Sequence, residues 1–406
     1  MAVPDHEIIV AGAGPAGSVA AAFLARTGRD VLLIDRHAFP RDKVCGDAVG
    51  PFAIRILHEI ELKNAVDRAG FHAIDSARIV APDGADIRIR FSENRSDGVR
   101  TWIAPRKRLD DLIQKQAVQF GAVFLHAKVL DIWNTDDGNV RLKVRTGHGE
   151  ETRTCRLLLA ADGSGSVIAR KLNGLHPMSR TAVAARAYVR GIRTLGPTIE
   201  GFLDPSVWPG YGWIFPAGPN AANVGVGLSL KAFRKRRVSL KHLFNDFLSA
   251  PEIRERLSPD MRVEPVSGWP LHLGWANRFR RVGNRVILLG DAAGLVNPLS
   301  GGGIANAVFS GKLAAETAAG ALERNDFSEK SLSEYVQRLK RVVRRELIVS
   351  GWLRRLIYIS PAWVNGSMRL MRSQPILPAL LSRMYPDLRF DCESEESSRV
   401  VKRRAK

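Results

Sequence analysis

The sequence predicts an α/β fold, and three observations carry that prediction. A Gly12-x-Gly14-x-x-Gly17 turn sits between an apolar strand and an alanine-rich helix near the N-terminus. A second strand–loop–helix unit recurs far down the chain at residues 286–311. Between them, Tyr211, Trp213 and Phe215 alternate along a strand-like segment. The first two are Rossmann-like units, and the third belongs to a separate β-sheet.

The N-terminal unit reads EIIVAGAGPAGSVAAAFLARTGRDVLLID over residues 7–35. The run Ile8–Ala11 suits a parallel strand buried on both faces. A helix is expected from Ser18 to about Thr27, and a second strand over Val31–Ile34 that ends at Asp35. Gly12 permits the tight turn, Gly14 lets the backbone approach a pyrophosphate, and Gly17 allows the helix to pack closely on the strand. The helix N-terminus offers free N–H groups to phosphate. Asp35 falls where a carboxylate accepts hydrogen bonds from an adenosine ribose. The glycines leave open whether the dinucleotide is FAD or NAD.

The loop that follows reads FPRDKVCGDAVGP (39–51). Cys45 is either a reactive thiol beside a cofactor or a small residue in a turn that Gly46 supplies. Arg41 and Lys43 are expected to favour its thiolate. Next come APRKRLDDLI (104–113), a charged helix start, and LLLAADGSGSVIARKL (157–172), a strand that runs into Asp162-Gly163. In YGWIFPAGPNAANVGVG (211–227), alternate aromatics project to one face. They form either a cavity wall or an ordinary core strand. In the 286–311 unit, the strand Val286–Leu289 leads to Gly290-Asp291, a loop with Pro298 and Gly301 to Gly303, and a helix starting near Ile304. The aspartate there can bond a polyol, and the helix N-terminus can stabilise negative charge.

Composition bounds the rest. The 406 residues are 45% hydrophobic and carry a net charge of +20. That length allows two or three domains and a sizeable core. The positive charge favours anionic partners. Nucleic acid is a poor explanation, because no binding motif is present and the aromatics are not interleaved with the basic runs. Cys45, Cys155 and Cys392 are far apart, so neither a disulfide framework nor a zinc site is suggested, and the usage fits a reducing cytoplasm. The histidines lack ligand spacing, and no metal is expected. No signal peptide is expected ahead of the first strand, and no apolar run is long enough to span a bilayer. The segment SLSEYVQRLKRVVRRELIVSGWLRRLI (331–357) places Leu339, Val342, Val343, Leu347 and Leu353 at helical spacing amid dense arginine. It is either a basic amphipathic helix for an anionic membrane or a packed helix with a solvated face. KAFRKRR (231–237) adds to a basic surface or covers a loop. Further apolar pieces such as Ile376–Leu381 follow, and the acidic-then-basic tail 391–406 is expected to be disordered.

In this order along the chain, these segments resemble the FAD-dependent flavoprotein superfamily of aromatic hydroxylases, flavin halogenases and geranylgeranyl reductases. Within it, P-x-x-K-x-C-G (Pro40 to Gly46) and Y-x-W-x-F-P…G-x-G (Tyr211 to Gly227) resemble the geranylgeranyl reductase-like branch. The likeness covers roughly residues 5–325 and only loosely the rest. It implies FAD as cofactor, contacted by Gly12, Gly14, Ala16, Gly17, Asp35, Arg36, Cys45, Gly46, Arg106, Asp162, Gly163, Asp291, Pro298, Gly301, Gly303 and Ile304. Asp291 would meet the ribityl chain, and Gly303-Ile304 the isoalloxazine. Tyr211, Trp213, Phe215, Pro216, Gly225 and Gly227 would line the cavity where an isoprenoid chain meets the flavin, with Cys45 as the catalytic candidate. Gly302 departs from the branch, which often has an acid there.

The resemblance further implies a discontinuous FAD domain (1–75, 100–175 and 280–325), a β-sheet substrate domain (76–99 and 176–279) and a helical C-terminal part (326–390). The expected activity is reduction of C=C bonds in an isoprenoid or prenyl-tailed lipid. The alternative is a monooxygenase or halogenase acting on a hydrophobic small molecule. The superfamily's halogenases carry W-x-W-x-I-P and a catalytic lysine, which YGWIFP matches only in part. A flavoprotein scaffold without turnover is a third reading. No second dinucleotide fingerprint is present, so NAD(P)H or another electron donor would bind transiently. The expected location is cytoplasmic, with peripheral contact at the inner membrane face.

Overall fold

The computed structural model describes residues 3–91, 98–135, 138–373 and 388–391. The strand His6–Ala11 sits at the centre of the first sheet. It pairs in parallel with Val31–Asp35 on one side and Gly149–Ala160 on the other. Val123–His126 and Val286–Leu288 extend the parallel array outward. The three central strands read as continuous apolar runs because their inner residues are buried on both faces. The outer part of Gly149–Ala160 leaves this array and pairs antiparallel with Val140–Thr146, which in turn pairs with Lys128–Asn134.

The helix Pro15–Arg26 packs on this sheet between Arg106–Gln119 and the long helix Ile304–Arg324. It begins three residues earlier than the pattern suggested, because Pro15 fits the first helical turn, where its missing N–H has no partner to lose. Small residues let the two helices touch by backbone. A Cβ on Gly311 would lie 2.3 Å from the carbonyl oxygen of Ala16.

The second sheet runs across Thr181–Ile192, Ala221–Ser229, Gly210–Gly218 and Thr198–Phe202. Ser76–Val80 and Asp86–Phe91 continue it, followed by Leu388–Asp391. Thr181–Ile192 also pairs with Ser267–His272 and Leu257–Val263 along its other edge. One face is covered by Leu240–Ser249, whose Phe244 and Phe247 are buried. A small sheet of Ala48–Val49, Thr101–Ile103 and His72–Ile74 lies at the junction of the two units.

The basic segment is not one continuous amphipathic helix. Glu329–Leu339 and Arg345–Ile357 are joined by a π-helical turn at Lys340–Arg344. Leu339, Val343 and Leu347 pack into the core of the first unit, whereas Val342 and Leu353 face outward. The first half is therefore a packed helix, and the second half packs through Leu347 but exposes Trp352, Leu353 and Leu356. At residues 231–237, Arg236 donates to the carbonyls of Ser206 and Trp208, so this segment covers a loop. The apolar stretch Ile376–Leu381 and Cys392 lie outside the described residues, as does the predicted tail apart from Asp391.

Candidate functional site

The glycine turn is shaped by contact. Gly12 has φ +101°, and a Cβ there would lie 2.3 Å from the Ala161 carbonyl oxygen. A Cβ on Gly17 would lie 1.8 Å from the Gly12 carbonyl oxygen. Both glycines therefore bring the turn, the helix and the neighbouring strand together. Gly14 is different, since only Arg41 Nη2, at 3.6 Å, is near its missing Cβ. That side is open for an approaching ligand. The helix has no acid in its first turn and no side-chain cap, so its leading N–H groups are free for an anion.

Asp35 braces the same turn. Its carboxylate accepts the Ala13 N–H at 2.8 Å and the His37 N–H at 2.9 Å. A carboxylate has lone pairs beyond these two, which leaves acceptor capacity for a ribose. Arg36 lies 5.5 Å above the Trp269 ring and faces the second sheet. Asp162 is held beside Gly12, and one of its oxygens accepts the Val167 N–H at 3.0 Å. Its Oδ1 is buried without a partner among the described residues, and burial pushes the carboxyl group's pKa up. Gly163 supplies a positive φ of +78° to this turn.

A cavity of about 300 Å³ opens where the two units meet. Asp291 stands at one wall and pairs with Lys43 Nζ at 3.0 Å. Burial opposes its ionisation, but the Lys43 ammonium holds the carboxyl group below its ordinary range. A Cβ on Gly303 would come within 3.2 Å of Asp291 Oδ1. Ile304 opens the long helix, whose first turn also lacks an acid. Gly301 has φ +66°, and the Tyr211 hydroxyl donates to the neighbouring Ser300 carbonyl. Pro298 closes this side. Arg106 is buried against the cavity by a bidentate pair with Asp110, both contacts at 2.6 Å. Asp110 also takes Arg41 at 2.6 Å, so one fully buried carboxylate orients two guanidiniums.

Cys45 lines the cavity on a loop clamped from the second sheet. Asn223 Nδ2 donates to the Cys45 carbonyl at 2.7 Å, and Arg186 pairs with Asp42 at 2.7 Å. Two expectations for this loop are corrected. Lys43 does favour the thiolate, as does Arg106, but burial outweighs both and pushes the Cys45 thiol up, while Arg41 is engaged by Asp110. The residue is only part-buried by surface, but what it faces is the cavity rather than bulk water. Gly46 does not supply the turn either. Asp47 does, with φ +64°. Gly46 is needed because a Cβ would stand 2.8 Å from the Phe215 ring.

The aromatic strand alternates as its sequence predicts. Tyr211, Trp213 and Phe215 face the cavity, with ring centroids 5.9 and 6.2 Å apart along the series. Gly212 turns the other way, where the Phe247 ring lies 2.4 Å from its missing Cβ. Gly227 lines the cavity, whereas Pro216 and Gly225 do not. Gly225 is the floor under Trp213, since a Cβ there would sit 2.2 Å from the indole.

Sequence reasoning passed over Asp47, Arg186, Tyr188 and Asn223. Asp47 is fully buried and accepts from Tyr188 Oη at 2.6 Å and Asn223 Nδ2 at 2.7 Å. Its second oxygen has no partner among the described residues. Burial pushes its carboxyl group up to about 6. The available signal was polar residues in otherwise apolar strands: Arg186 and Tyr188 within TAVAARAYV, and Asn223 within AANVGVG. A stacked pair, His176 and His272 with ring centroids 4.0 Å apart, was also missed.

A glycine cradle, two uncapped helix starts and Asp291 beside an aromatic cavity fit a bound flavin dinucleotide along their whole length. The fold and site therefore define an FAD-binding flavoprotein. Residues 5–200 match the FAD binding domain, and residues 196–261 match the geranylgeranyl reductase catalytic domain. Menaquinone reductase of Mycolicibacterium smegmatis is 34% identical over 350 residues, covering 84% of this chain and 83% of that protein. Digeranylgeranylglycerophospholipid reductase 2 of Methanococcoides burtonii is 31% identical over 353 residues, covering 84% and 82%. The chain belongs to the geranylgeranyl reductase family of FAD-dependent oxidoreductases. Its fold is shared with a geranylgeranyl bacteriochlorophyll reductase-like protein of Thermoplasma acidophilum, with TM-score 0.77, 23% identity and coverage of 87% and 88%. A flavin-dependent brominase shares it too, with TM-score 0.76, 21% identity and coverage of 98% and 99%.

Proposed function

We propose that this protein reduces C=C bonds of a prenyl-tailed lipid. The observation that carries the reading is the cavity itself, lined together by an apolar aromatic wall, the Cys45 loop and residues of the Asp291–Ile304 segment. Bound FAD, once reduced, supplies the hydride. The chain's own residues do the rest. The Gly12–Gly17 turn holds the pyrophosphate, Asp35 the ribose, Asp291 the ribityl hydroxyls and the Gly303–Ile304 backbone the ring. Arg106, fixed by Asp110, adds positive charge at the cavity wall. Tyr211, Trp213 and Phe215 orient the hydrocarbon and exclude water. Cys45 holds a proton at Sγ, because burial keeps the thiol neutral, and that proton is positioned for the alkene carbon that does not receive hydride.

The electron donor in this reading is NAD(P)H or another reductant that visits without a domain of its own. The protein works peripherally at the anionic inner face of a membrane. Trp352, Ile359, Trp363 and Leu370 are exposed, Arg355 lies against the Trp352 ring, and the net charge of +20 complements such a surface. Among the described residues, no helix is long and apolar enough to cross a membrane.

The test mixes the chemically reduced FAD-loaded protein with prenylated lipids and quinones and reads product mass. A gain of hydrogen pairs without oxygen is expected. A gain of one oxygen atom, seen only in air, would establish a monooxygenase instead.

A further inference from the structure

Asp47 is a fully buried acid in the wall of the flavin cavity, two residues from Cys45. Its N–H donates to Cys45 Sγ at 3.4 Å, so the turn at φ +64° keeps the two residues together. One carboxyl oxygen, Oδ2, accepts from Tyr188 Oη at 2.6 Å and from Asn223 Nδ2 at 2.7 Å. The other, Oδ1, is buried with no partner among the described residues. A bare buried oxygen is costly on a carboxylate, but a neutral carboxylic acid can carry its proton there.

The groups around this acid lead outward. Tyr188 is partly exposed, and the Arg186 guanidinium lies 4.5 Å from its ring centroid. Arg186 pairs in turn with Asp42, which is half-exposed. Cys45, Asp47 and Tyr188 therefore link the cavity to the solvent side of the second sheet. The charges facing Asp47 are Arg186 from that sheet and Arg106 from the first unit, and both favour its ionised form, as do the Tyr188 and Asn223 donors. Lys43, on the same loop, pairs with Asp291. Burial outweighs these partners and leaves the Asp47 carboxyl group at about 6, whereas it pushes the Cys45 thiol above its ordinary value. A proton on Asp47 is thus transferred downhill to a Cys45 thiolate.

We propose that Asp47 reloads Cys45 with a proton after each reduction and is itself resupplied through the Tyr188 hydroxyl. The inference rests on the proposed reduction of a C=C bond, and Asp47 acts through Cys45 rather than on the lipid. In that reaction the C=C electron pair takes the Cys45 proton. The S–H bond breaks as one C–H bond forms, and hydride from reduced flavin forms the other. The thiolate left behind takes the Asp47 proton. The resulting carboxylate is held by Tyr188 and Asn223 until the Tyr188 hydroxyl passes it a proton and takes one from water.

The test keeps the FAD-loaded protein reduced with excess dithionite and follows hydrogenated product from menaquinone-4 and from geranylgeranyl diphosphate. Asp47→Asn should make its first product as fast as the wild type and then slow by about 100-fold. Tyr188→Phe should show the same burst and a smaller slowing. Steady turnover of the wild type should fall as pH rises through about 6, because the acid must be protonated, and Asp47→Asn should lack this limb. Iodoacetamide labelling of Cys45, located by peptide mass, gives a readout without lipid. Ionised Asp47 opposes thiolate formation, so Asp47→Asn should move the labelling profile down by about one pH unit. Equal steady turnover in wild type and Asp47→Asn would overturn the reloading role. So would a first turnover slowed as much as the later ones, which would mean that Asp47 only shapes the loop. An unmoved labelling profile would show that its charge does not reach Sγ and would overturn the role as well. No hydrogenated product from either lipid with the wild type would instead remove the proposed reduction itself, and the proton route with it.

Discussion

Asp47→Asn should make the protein more stable at alkaline pH than the wild type, and the structure sets the size of the effect. The Asp47 carboxyl group is fully buried, one of its oxygens has no partner among the described residues, and burial raises its pKa to about 6. An acid whose folded-state pKa lies above the unfolded value binds its proton more tightly when folded. Ionising it therefore destabilises the fold, and the penalty grows as pH rises from the unfolded pKa to the folded one. With an unfolded value near 3.9, the full penalty is roughly 3 kcal/mol, of which about 1.4 kcal/mol develops between about pH 5 and pH 8. Asparagine keeps an acceptor for Tyr188 and Asn223, cannot ionise, and tolerates the left-handed backbone at φ +64°. Urea unfolding of both chains at the two pH values isolates this term, because every other titrating group cancels in the difference. The variant should gain about 1.4 kcal/mol on the wild type over that interval. A wild-type-minus-variant difference that does not change with pH would refute the argument. So would a variant that loses stability at alkaline pH, which would mean that the network requires the carboxylate.

Gly225→Ala should lower stability by about 1–3 kcal/mol, because a fixed backbone and a hydrogen-bonded indole both crowd the new methyl group. The nearest atoms are Trp213 Cζ2 at 2.2 Å and the Ala185 carbonyl oxygen at 2.6 Å, and an unchanged melting temperature would contradict that packing. Cys45→Ala should retain flavin, seen in the visible spectrum, and lose turnover; undiminished turnover would remove Cys45 from the chemistry. Asp110→Ala leaves Arg41 and Arg106 without their shared carboxylate and should cost about 3–5 kcal/mol. Its purified protein should carry less flavin than the wild type, and normal flavin content with normal stability would show that the Asp110 clamp is dispensable.

The first unit was legible because its physics is local. A strand, a glycine turn and a helix start are consecutive in sequence, and each glycine's requirement follows from a neighbour within a few residues or on the next strand. Cys45, Trp213 and Phe215 were legible as a set because they lie on short patterned segments. Other features were hidden because their causes are distant in sequence. Nothing near residue 43 announces that Lys43 is engaged by Asp291, 248 positions away. The partners of Asp47 are 141 and 176 positions away, so an aspartate in CGD reads as a turn residue and nothing more. The helical periodicity of 331–357 was real, but periodicity does not reveal a π turn. Beyond that turn only Leu347 and its neighbour Ile348 still meet the core, while Trp352, Leu353 and Leu356 are exposed.

The clamp on the Cys45 loop explains why two separately built sheets work as one site. The loop leaves the first unit after Val31–Asp35, yet Arg186, Tyr188 and Asn223, all on strands of the second sheet, bind its carbonyls and carboxylates. Trp213 Nε1 donates to Asn223 Oδ1 at 2.9 Å, so the same asparagine that fixes the loop also fixes the central ring of the aromatic wall. Phe215 sits against Gly46 and completes the contact. The position of Cys45 and the shape of the wall are thus set by one hydrogen-bonded group rather than by two independent surfaces. Buried networks of this kind specify a single arrangement when every member is satisfied. Among the described residues Asp47 Oδ1 has no partner, and it belongs to the residue whose backbone turn follows Cys45. The loop is therefore held in place by a residue whose charge the fold resists, which ties the geometry of the thiol to the protonation of its neighbour two positions on.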